Sequence, residues 1–588
     1  MPQPPVPDRS GRVGRSGRVR EALRVLSPRG ALVLGRVDGA LWFAVRAALA
    51  MALPALPLVA AGEPRLAVYA MLGAFTTTFG RNLPYRRRAR VLAVVALAMT
   101  CAVACGSALA VAARPSEGGL GAVAVVAATA LVAGAAKFCC DTARLGGLGA
   151  VLLLFAFAVA ANGATTAAQV GPQAAAAAVG AASAWLWALS GRLWHPDRPQ
   201  RLVTAAALRA VADLLESADG AARSRARYRA TAAVLQAYAS LGAGPPTGPS
   251  DGARGGACLR LADVCWSLLV RSAYRAPAGA PGQARRLRSQ AGLLADGRHR
   301  SPVLVGALPV PGRPGTGGSR APRPGGVPAS GFDAALRRIA ELRSGADRAS
   351  RRAAVFAVPA LRMTLGTGTA GTLAVLLGLG HGYWAAISAA AVLHSVSVRT
   401  TVQRAVQRTV GTLAGLLIAL AVLGAGPGPM ALALVIVVLE FALEYLVVRN
   451  YALGVVFVTP LALLMSDLVA PTGTLGLLRD RALGSVLGIG VGLLCALLVV
   501  HDRAAVRVER ALAACAAAAA DAERAAAPAT GGALPGAQAQ ARLAAAVVEL
   551  HEAADAAAGE LWESGIDPVR LAAAEQHAYL LLQRLSPG

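Results

Sequence analysis

Between His381 and Val422 the chain reads HGYWAAISAAAVLHSVSVRTTVQRAVQRTVGTLAGLLIALAV, two apolar stretches joined by a turn that carries Arg399, Arg404 and Arg408. Arginines spaced five and four residues apart cannot lie in hydrocarbon, so they mark a helical hairpin turning at a membrane face. Earlier, FTTTFGRNLPYRRRARVLAVV sets Arg81, Arg86 and Arg90 at the same spacing. A pattern used twice predicts an all-α, polytopic membrane protein built by duplication.

Composition narrows this further. Of 588 residues, 56% are apolar, and several apolar windows exceed the ~18 residues needed to cross a ~30 Å hydrocarbon core. A formal charge of +27 would point to nucleic acid in a soluble chain. In a membrane protein, cationic residues collect in cytoplasmic loops, so no nucleic-acid partner is expected. Lys137 is the only lysine, which with the absence of G-x4-G-K-[ST] excludes an ATPase motor. Gly366, Gly368 and Gly371 match G-x-G-x-x-G formally, but they lie in an apolar helix with no preceding strand. With Gly411-x3-Gly415 and Gly484-x3-Gly488 they read as close helix packing. Eight cysteines contain no C-x-x-C pair; Cys139-Cys140 beside Asp141 reads as small packing residues or a soft-metal pair. Neither an enzyme nor a cofactor is expected.

Along the chain, residues 1–38 are a basic N-terminus. Six helices are expected over 39–194, near 41–61, 65–80, 91–112, 120–137, 147–163 and 171–193. Six more are expected over 353–501, near 354–379, 382–397, 409–424, 429–448, 451–468 and 482–500. The even-numbered turns carry most of the charge, which places the N-terminus in the cytoplasm. Arg479 and Arg481 sit in an outer turn against this trend, partly offset by Asp480. Both halves enter from the same side, so the two six-helix transmembrane repeats are parallel rather than inverted. Residues 195–352 read as a cytosolic helical region, with helices over Leu202–Leu241, Leu259–Tyr274 and Phe332–Arg348 and linkers at 242–257 and 307–330. Residues 502–588 read as Ala-rich cytosolic helices able to pack with that region.

The aromatic pair Tyr383-Trp384, followed by Arg399-x4-Arg404-x3-Arg408-x2-Gly411-Thr412-x2-Gly415, resembles the fusaric acid resistance family of bacterial inner-membrane proteins. Arg449 to Met465, RNYALGVVFVTPLALLM, resembles that family's second signature, with Asn450-Tyr451 leading into Thr459-Pro460. Both lie between about residues 350 and 500; the first half matches loosely, with Tyr69 alone and Phe155-Ala156 in place of Thr-Pro. The resemblance implies efflux of aromatic acids driven by an ion gradient. It also implies a distant likeness to plant aluminium-activated malate transporters, dimers of six-helix units around a basic pore.

Ionisable residues inside apolar runs are the first site candidates, since each costs several kcal/mol unless paired or hydrated. Arg46 and Arg362 lie at comparable depths in the first helix of each half. Glu440 and Glu444 share one helix face, and at ~1.5 Å per residue Arg362 and Glu440 lie at matching depth, so a pair is geometrically open. Three readings stand: snorkelling to the interface, structural pairing, or movement of anions and protons. Paired short segments, near 65–80 and 382–397, are the second pointer, because they mark midmembrane binding sites in repeat-built transporters. They offer Thr76 to Thr78, Tyr383, Trp384, Ser388, Ser395 and Ser397 to an aromatic carboxylate, or serve as ordinary packing and interface anchors, while His394 reads as a proton-coupling group or a hydrogen-bonded structural residue.

The expected function is export of small organic anions, aromatic acids in particular, across the plasma membrane. The multi-pass chain would keep both termini cytoplasmic and have the lipid bilayer and the anion as partners, with room for a homo-oligomer. A passive anion channel and a non-transporting envelope scaffold are the alternatives.

Overall fold

The structure, a computed structural model, describes residues 38–296 and 357–585, apart from 82, 116–117, 144, 146–148, 164–165, 218–220, 244–255, 273–279, 396–397, 470–472, 499–502, 527–535 and 559–566. Among the described residues every regular element is helical. The first set comprises α1 (Ala40–Ala60), α2 (Pro64–Ala74) closed by a 3-10 turn over Phe75–Thr78, α3 (Tyr85–Ala113), α4 (Gly119–Thr142), α5 (Gly149–Ala160) and α6 (Ala167–Trp194). Then come α7 (Arg198–Glu216), α8 (Ala221–Leu241), α9 (Ala257–Arg271) and α10 (Ala280–Ala295). The second apolar set is α11 over 357–376, α12 (Tyr383–Leu393), α13 (Val398–Gly424), α14 (Pro429–Leu446), α15 (Tyr451–Val469) and α16 (Thr474–Leu498). The chain ends with α17 (Arg503–Ala526), α18 (Gly536–Ala558) and α19 (Pro568–Leu585).

Among the described residues, eight helices are long and apolar enough to cross a membrane: α1, α3, α4, α6, α13, α14, α15 and α16. The chain is a multi-pass membrane protein whose spans contact lipid. Leu97, Leu186, Leu417, Val438 and Val486 are exposed on these helices, as side chains facing acyl chains must be. Seven spans have 28–39% of their apolar window buried, whereas α15 has 61% and is the central span.

Twelve spans were expected; over its described residues α11 is helical but is not among the eight, and three further segments fold differently. α2 has 11 residues, α5 has 12 and α12 has 11, so at ~1.5 Å per residue none reaches across ~30 Å. Pro64 starts α2 after a left-handed Gly62 (φ 83°), and the 3-10 turn ends it before Phe79 turns extended. Such short helices are tolerated at membrane depth only inside protein. Accordingly, Ala67 to Ala74 and Trp384 to Leu393 are buried without a break.

Each short helix lies along a long one, in backbone contact. α2 packs on α6, where a Cβ at Gly73 would collide with the Ala177 carbonyl and one at Gly180 with that of Ala70. α12 packs on α16, where a Cβ at Gly488 would meet Ser388 Cβ at 2.7 Å and Ala389 N at 2.9 Å. α3 pairs with α5 and α13 with α15, while α14 lies against α1 and joins the two sets through one apolar core.

The long helices also begin earlier than their apolar runs. α13 starts at Val398, so Arg399, Arg404 and Arg408 occupy its first three turns rather than a loop. Arginine is a good helix former, and hydropathy marks the lipid-facing part of a helix rather than its end.

α7 to α10 and α17 to α19 enclose a separate apolar core that includes Leu208, Trp266, Leu287, Leu512, Val547 and Tyr579. Thr231 Oγ1 and Tyr579 Oη lie 2.9 Å apart across it, and Arg209 bonds Asp38 ahead of α1. α10 was not anticipated. The expected helix over Phe332–Arg348, the linker 307–330 and residues 1–37 lie outside the described residues.

Candidate anion-binding site

α12 places Trp384 with 1% of its surface exposed, and α16 crosses it at Gly484, one turn beyond Arg481. That crossing lays the Arg481 guanidinium over the Trp384 ring, 4.1 Å from its centroid. From α13, Arg408 reaches the same place and donates through Nη2 to Ser388 Oγ at 3.3 Å. From α5, Phe155 stacks on Trp384 (6.0 Å, 29°), and Phe75 meets Phe155 edge-on at 6.1 Å. These side chains, with Tyr451, wall a cavity of ≈ 60 Å³. At about 10–15 Å³ per water, this holds a few waters or a carboxylate, and a whole ring enters only if the lining parts.

The electrostatics of this cavity are unbalanced. Arg481 and Arg408 are 2% and 4% exposed and close enough to repel each other. Arg481 Nε and Nη1 and Arg408 Nε are buried without a hydrogen-bond partner, and among the described residues neither arginine has an ion pair. An uncompensated buried charge costs several kcal/mol, of which a cation–π contact returns only about 2. The arrangement is suited to an anion that carries an aromatic body.

The residues singled out in the sequence divide between this cavity and other places. Trp384, Arg408 and Tyr451 line the cavity. Tyr383 is half-buried, its hydroxyl 3.3 Å from Ser466 Oγ. Arg362 lies elsewhere: its Nη2 donates to the Leu393 and Ser395 carbonyls (3.2 and 2.7 Å), closing the end of α12. The Arg362–Glu440 pair is not formed, because both Glu440 carboxylate oxygens are buried without a partner. Glu444 instead accepts from Thr78 Oγ1 at 2.7 Å, near Arg81. Arg46 does not line the cavity and lies beside Gly191 at the end of α6. Ser397 is outside the described residues.

The signature residues resolve in the same way. Asn450 Oδ1 accepts from the Ala452 amide at 2.8 Å and caps α15. Pro460 leaves the Val456 carbonyl without its helical donor, and that carbonyl lies 2.8 Å from where a Cβ at Gly415 would stand. A Cβ at Gly411 would meet the Ala452 carbonyl at 2.8 Å, so both glycines let α13 and α15 touch. Thr459 Oγ1 donates to Val455 O at 2.9 Å, inside the same helix. Arg404 lies 5.6 Å from the Tyr451 ring, and Arg399 is exposed. The spacing shared with Arg81, Arg86 and Arg90 does not give equivalent places, since Arg90 is exposed whereas Arg408 is buried.

Arg481, Phe155 and Phe75 were missed as site residues. α16 begins at Thr474, not near 482, which puts Arg481 two turns inside a helix rather than in an outer turn. Its neighbour Asp480 binds His381, accepting from the backbone amide (3.2 Å) and lying 3.0 Å from Nδ1, so it does not neutralise Arg481. Gly484-x3-Gly488 was the available signal, because an arginine one turn before a close-packing motif is carried into the contact.

Residues 369–529 match the family model described as fusaric acid resistance protein-like. The second apolar set therefore carries a fusaric acid resistance-like domain. Trp384, Arg408, Tyr451 and Arg481 all fall inside it, while Phe75 and Phe155 come from outside. The chain is also 40% identical over 121 residues to the uncharacterized membrane protein YvaC of Bacillus subtilis (strain 168). That match covers 20% of this chain and 19% of the relative. No solved structure matches the chain.

Proposed function

We propose that the protein is a secondary transporter that exports small organic anions, aromatic acids among them, across the plasma membrane. The observation that carries this reading is the pair of buried, acid-free guanidiniums facing an aromatic-walled cavity. A carboxylate between Arg408 and Arg481 would cancel their mutual repulsion, and its ring would join the Trp384–Phe155 stack. Glu440 is the coupling candidate: ionised, it would cost several kcal/mol where it sits, so it is suited to carry a proton. Glu444, one turn away, is the ionisable group that bears on it. The role first read for Arg46 and Arg362 passes to Arg408 and Arg481.

Duplication into two parallel six-helix repeats fits this reading. In both sets a short second helix lies along the sixth, and the third along the fifth. The cavity forms where α5 of one set meets α12 of the other. In this reading the arginine-rich ends favour cytoplasmic termini, with α7 to α10 and α17 to α19 on the cytosolic side. Catalysis and cofactors have no part in this mechanism.

Labelled benzoate movement in sealed proteoliposomes, with and without an imposed pH gradient, tests the proposal. Gradient-driven movement that is lost in Arg408→Gln and Arg481→Gln, and uncoupled in Glu440→Gln, is the expected result. Flux down the anion's own gradient, indifferent to pH, would mean a channel. No flux of any of several acids by folded protein would leave a scaffold.

A further inference from the structure

A second group of arginines gathers around Phe43 of α1, and the transport reading gives these arginines no role. Phe43 of α1 carries the Arg81 guanidinium 3.9 Å from its ring centroid and that of Arg88 at 5.8 Å. Arg46, one turn further along α1, interacts electrostatically with Arg88 and with Arg198 at the start of α7. The Arg46 Nη atoms lie 3.0 and 3.2 Å from where a Cβ at Gly191 would stand, and Tyr85 Oη meets the same point. Four guanidiniums thus converge where α1, α3 and α7 begin and α6 ends.

Their surroundings leave that charge unanswered. Arg88 is 4% exposed with Nε unpartnered, and both Arg81 Nη atoms are buried without a partner. Among the described residues, none of the four makes a salt bridge or donates a side-chain hydrogen bond. Two carboxylates act at longer range, Glu444 on Arg81 and Asp296 on Arg198. Loop arginines that simply face the cytoplasm would be hydrated, whereas these are turned inward onto Phe43 and Gly191.

The rim of the cluster identifies its level. Leu41 (51%), Trp42 (56%), Leu193 (81%) and Trp194 (57%) are exposed beside it on α1 and α6. Exposed tryptophans next to exposed leucines mark the boundary between headgroups and acyl chains. We infer that Arg46, Arg81, Arg88 and Arg198 form a binding site for a phosphate group, supplied by the headgroup of an anionic lipid whose chains lie along Leu41 and Trp194. Guanidinium forks match phosphate oxygens, and a headgroup at this depth supplies the charge that the protein omits.

The test uses the full-length protein in neutral detergent, with thermal unfolding as readout. The probes are dioctanoyl phosphatidylglycerol, dioctanoyl phosphatidylcholine and inorganic phosphate, on wild type, Arg88→Gln and Arg198→Gln. Phosphatidylglycerol should stabilise wild type, phosphatidylcholine should not, and each variant should bind about tenfold more weakly or worse, as loss of one charged hydrogen bond requires. Arg198 lies at the half-exposed rim, so its variant keeps the test valid if Arg88→Gln does not fold. Stabilisation by inorganic phosphate equal to that by the lipid would uphold the phosphate site but assign it to a soluble ligand. Equal responses to the two lipids, or variants that respond like wild type, would overturn the site. The transport assay is independent of this result.

Discussion

Replacing Arg481 with methionine separates a residue kept for function from one kept for structure. The guanidinium is 2% exposed, two of its nitrogens lack partners, and another arginine, Arg408, repels it. Its burial costs several kcal/mol, and contact with Trp384 at 4.1 Å returns about 2. Methionine fills similar volume against the ring without charge, and substitutions of this kind are neutral or stabilising by about 1–4 kcal/mol. Arg481→Met should therefore raise the stability of the anion-free protein by about 1–3 kcal/mol while abolishing benzoate transport. Circular dichroism on heating in anion-free detergent buffer, beside flux in proteoliposomes, measures both effects. Benzoate should stabilise wild type, by about 2.7 kcal/mol at a hundredfold excess over Kd, and leave the variant unchanged. A loss of more than about 1 kcal/mol in the anion-free variant would refute the reasoning. It would make the Arg481–Trp384 contact the clamp that holds α12 on α16.

Two further predictions concern the scaffold. Gly488→Leu should cost about 1–3 kcal/mol or more, because its Cβ would meet Ser388 and the α12 backbone, whereas Gly490→Ala, with open space around it, should cost nothing in the same melting assay. In the outer helical unit, burial tends to lower the His551 pKa, but the carboxylates of Glu575 (2.9 Å from Nδ1), Asp555 and Glu552 together outweigh it and leave the value raised. A raised pKa stabilises the fold fully below the unfolded histidine value of about 6.5 and loses that stabilisation as pH climbs through the folded value. Hydrogen exchange in α18 and α19, corrected for intrinsic rates, should accelerate over that rise, and His551→Asn should remove the dependence.

Membrane character, helix packing and the places of the short α2 and α12 were legible in the sequence, the shortness of α5 was not, and the chemistry of the site was only partly legible. Gly411-x3-Gly415 and Gly484-x3-Gly488 announced close crossings because only small side chains admit backbone contact, and both crossings exist. Trp384 was found because it sits on a short apolar helix. Arg46 and Arg362 were ranked above Arg408 and Arg481 because depth in an apolar run was the only ruler. Depth does not report rotation about the helix axis: Arg362 turns toward the end of α12, while Arg408, assigned to a loop, turns inward from its third turn. Phe75 and Phe155 were invisible for a related reason. Nothing local distinguishes them from any buried phenylalanine until α5 is laid against α12.

Those two phenylalanines give the last prediction. The charge that would hold a carboxylate comes from α13 and α16, inside the fusaric acid resistance-like domain, whereas the ring stack is completed from outside it by Phe155. Affinity for the carboxylate and preference for an aromatic body should then be separable. An aromatic pair contributes about 0.5–1.5 kcal/mol beyond burial, a factor of roughly 2 to 10 in binding. Phe155→Leu keeps the apolar wall and removes the ring, so it should reduce the preference for benzoate over hexanoate by that factor while leaving hexanoate flux near wild type. Arg408→Gln, by contrast, should depress both acids together. Competition of each unlabelled acid against labelled benzoate flux reads the ratio directly. If Phe155→Leu lowers both acids in proportion, the Phe155–Trp384 stack shapes the helix contact rather than the substrate site, and selectivity must come from Trp384 and Tyr451 alone.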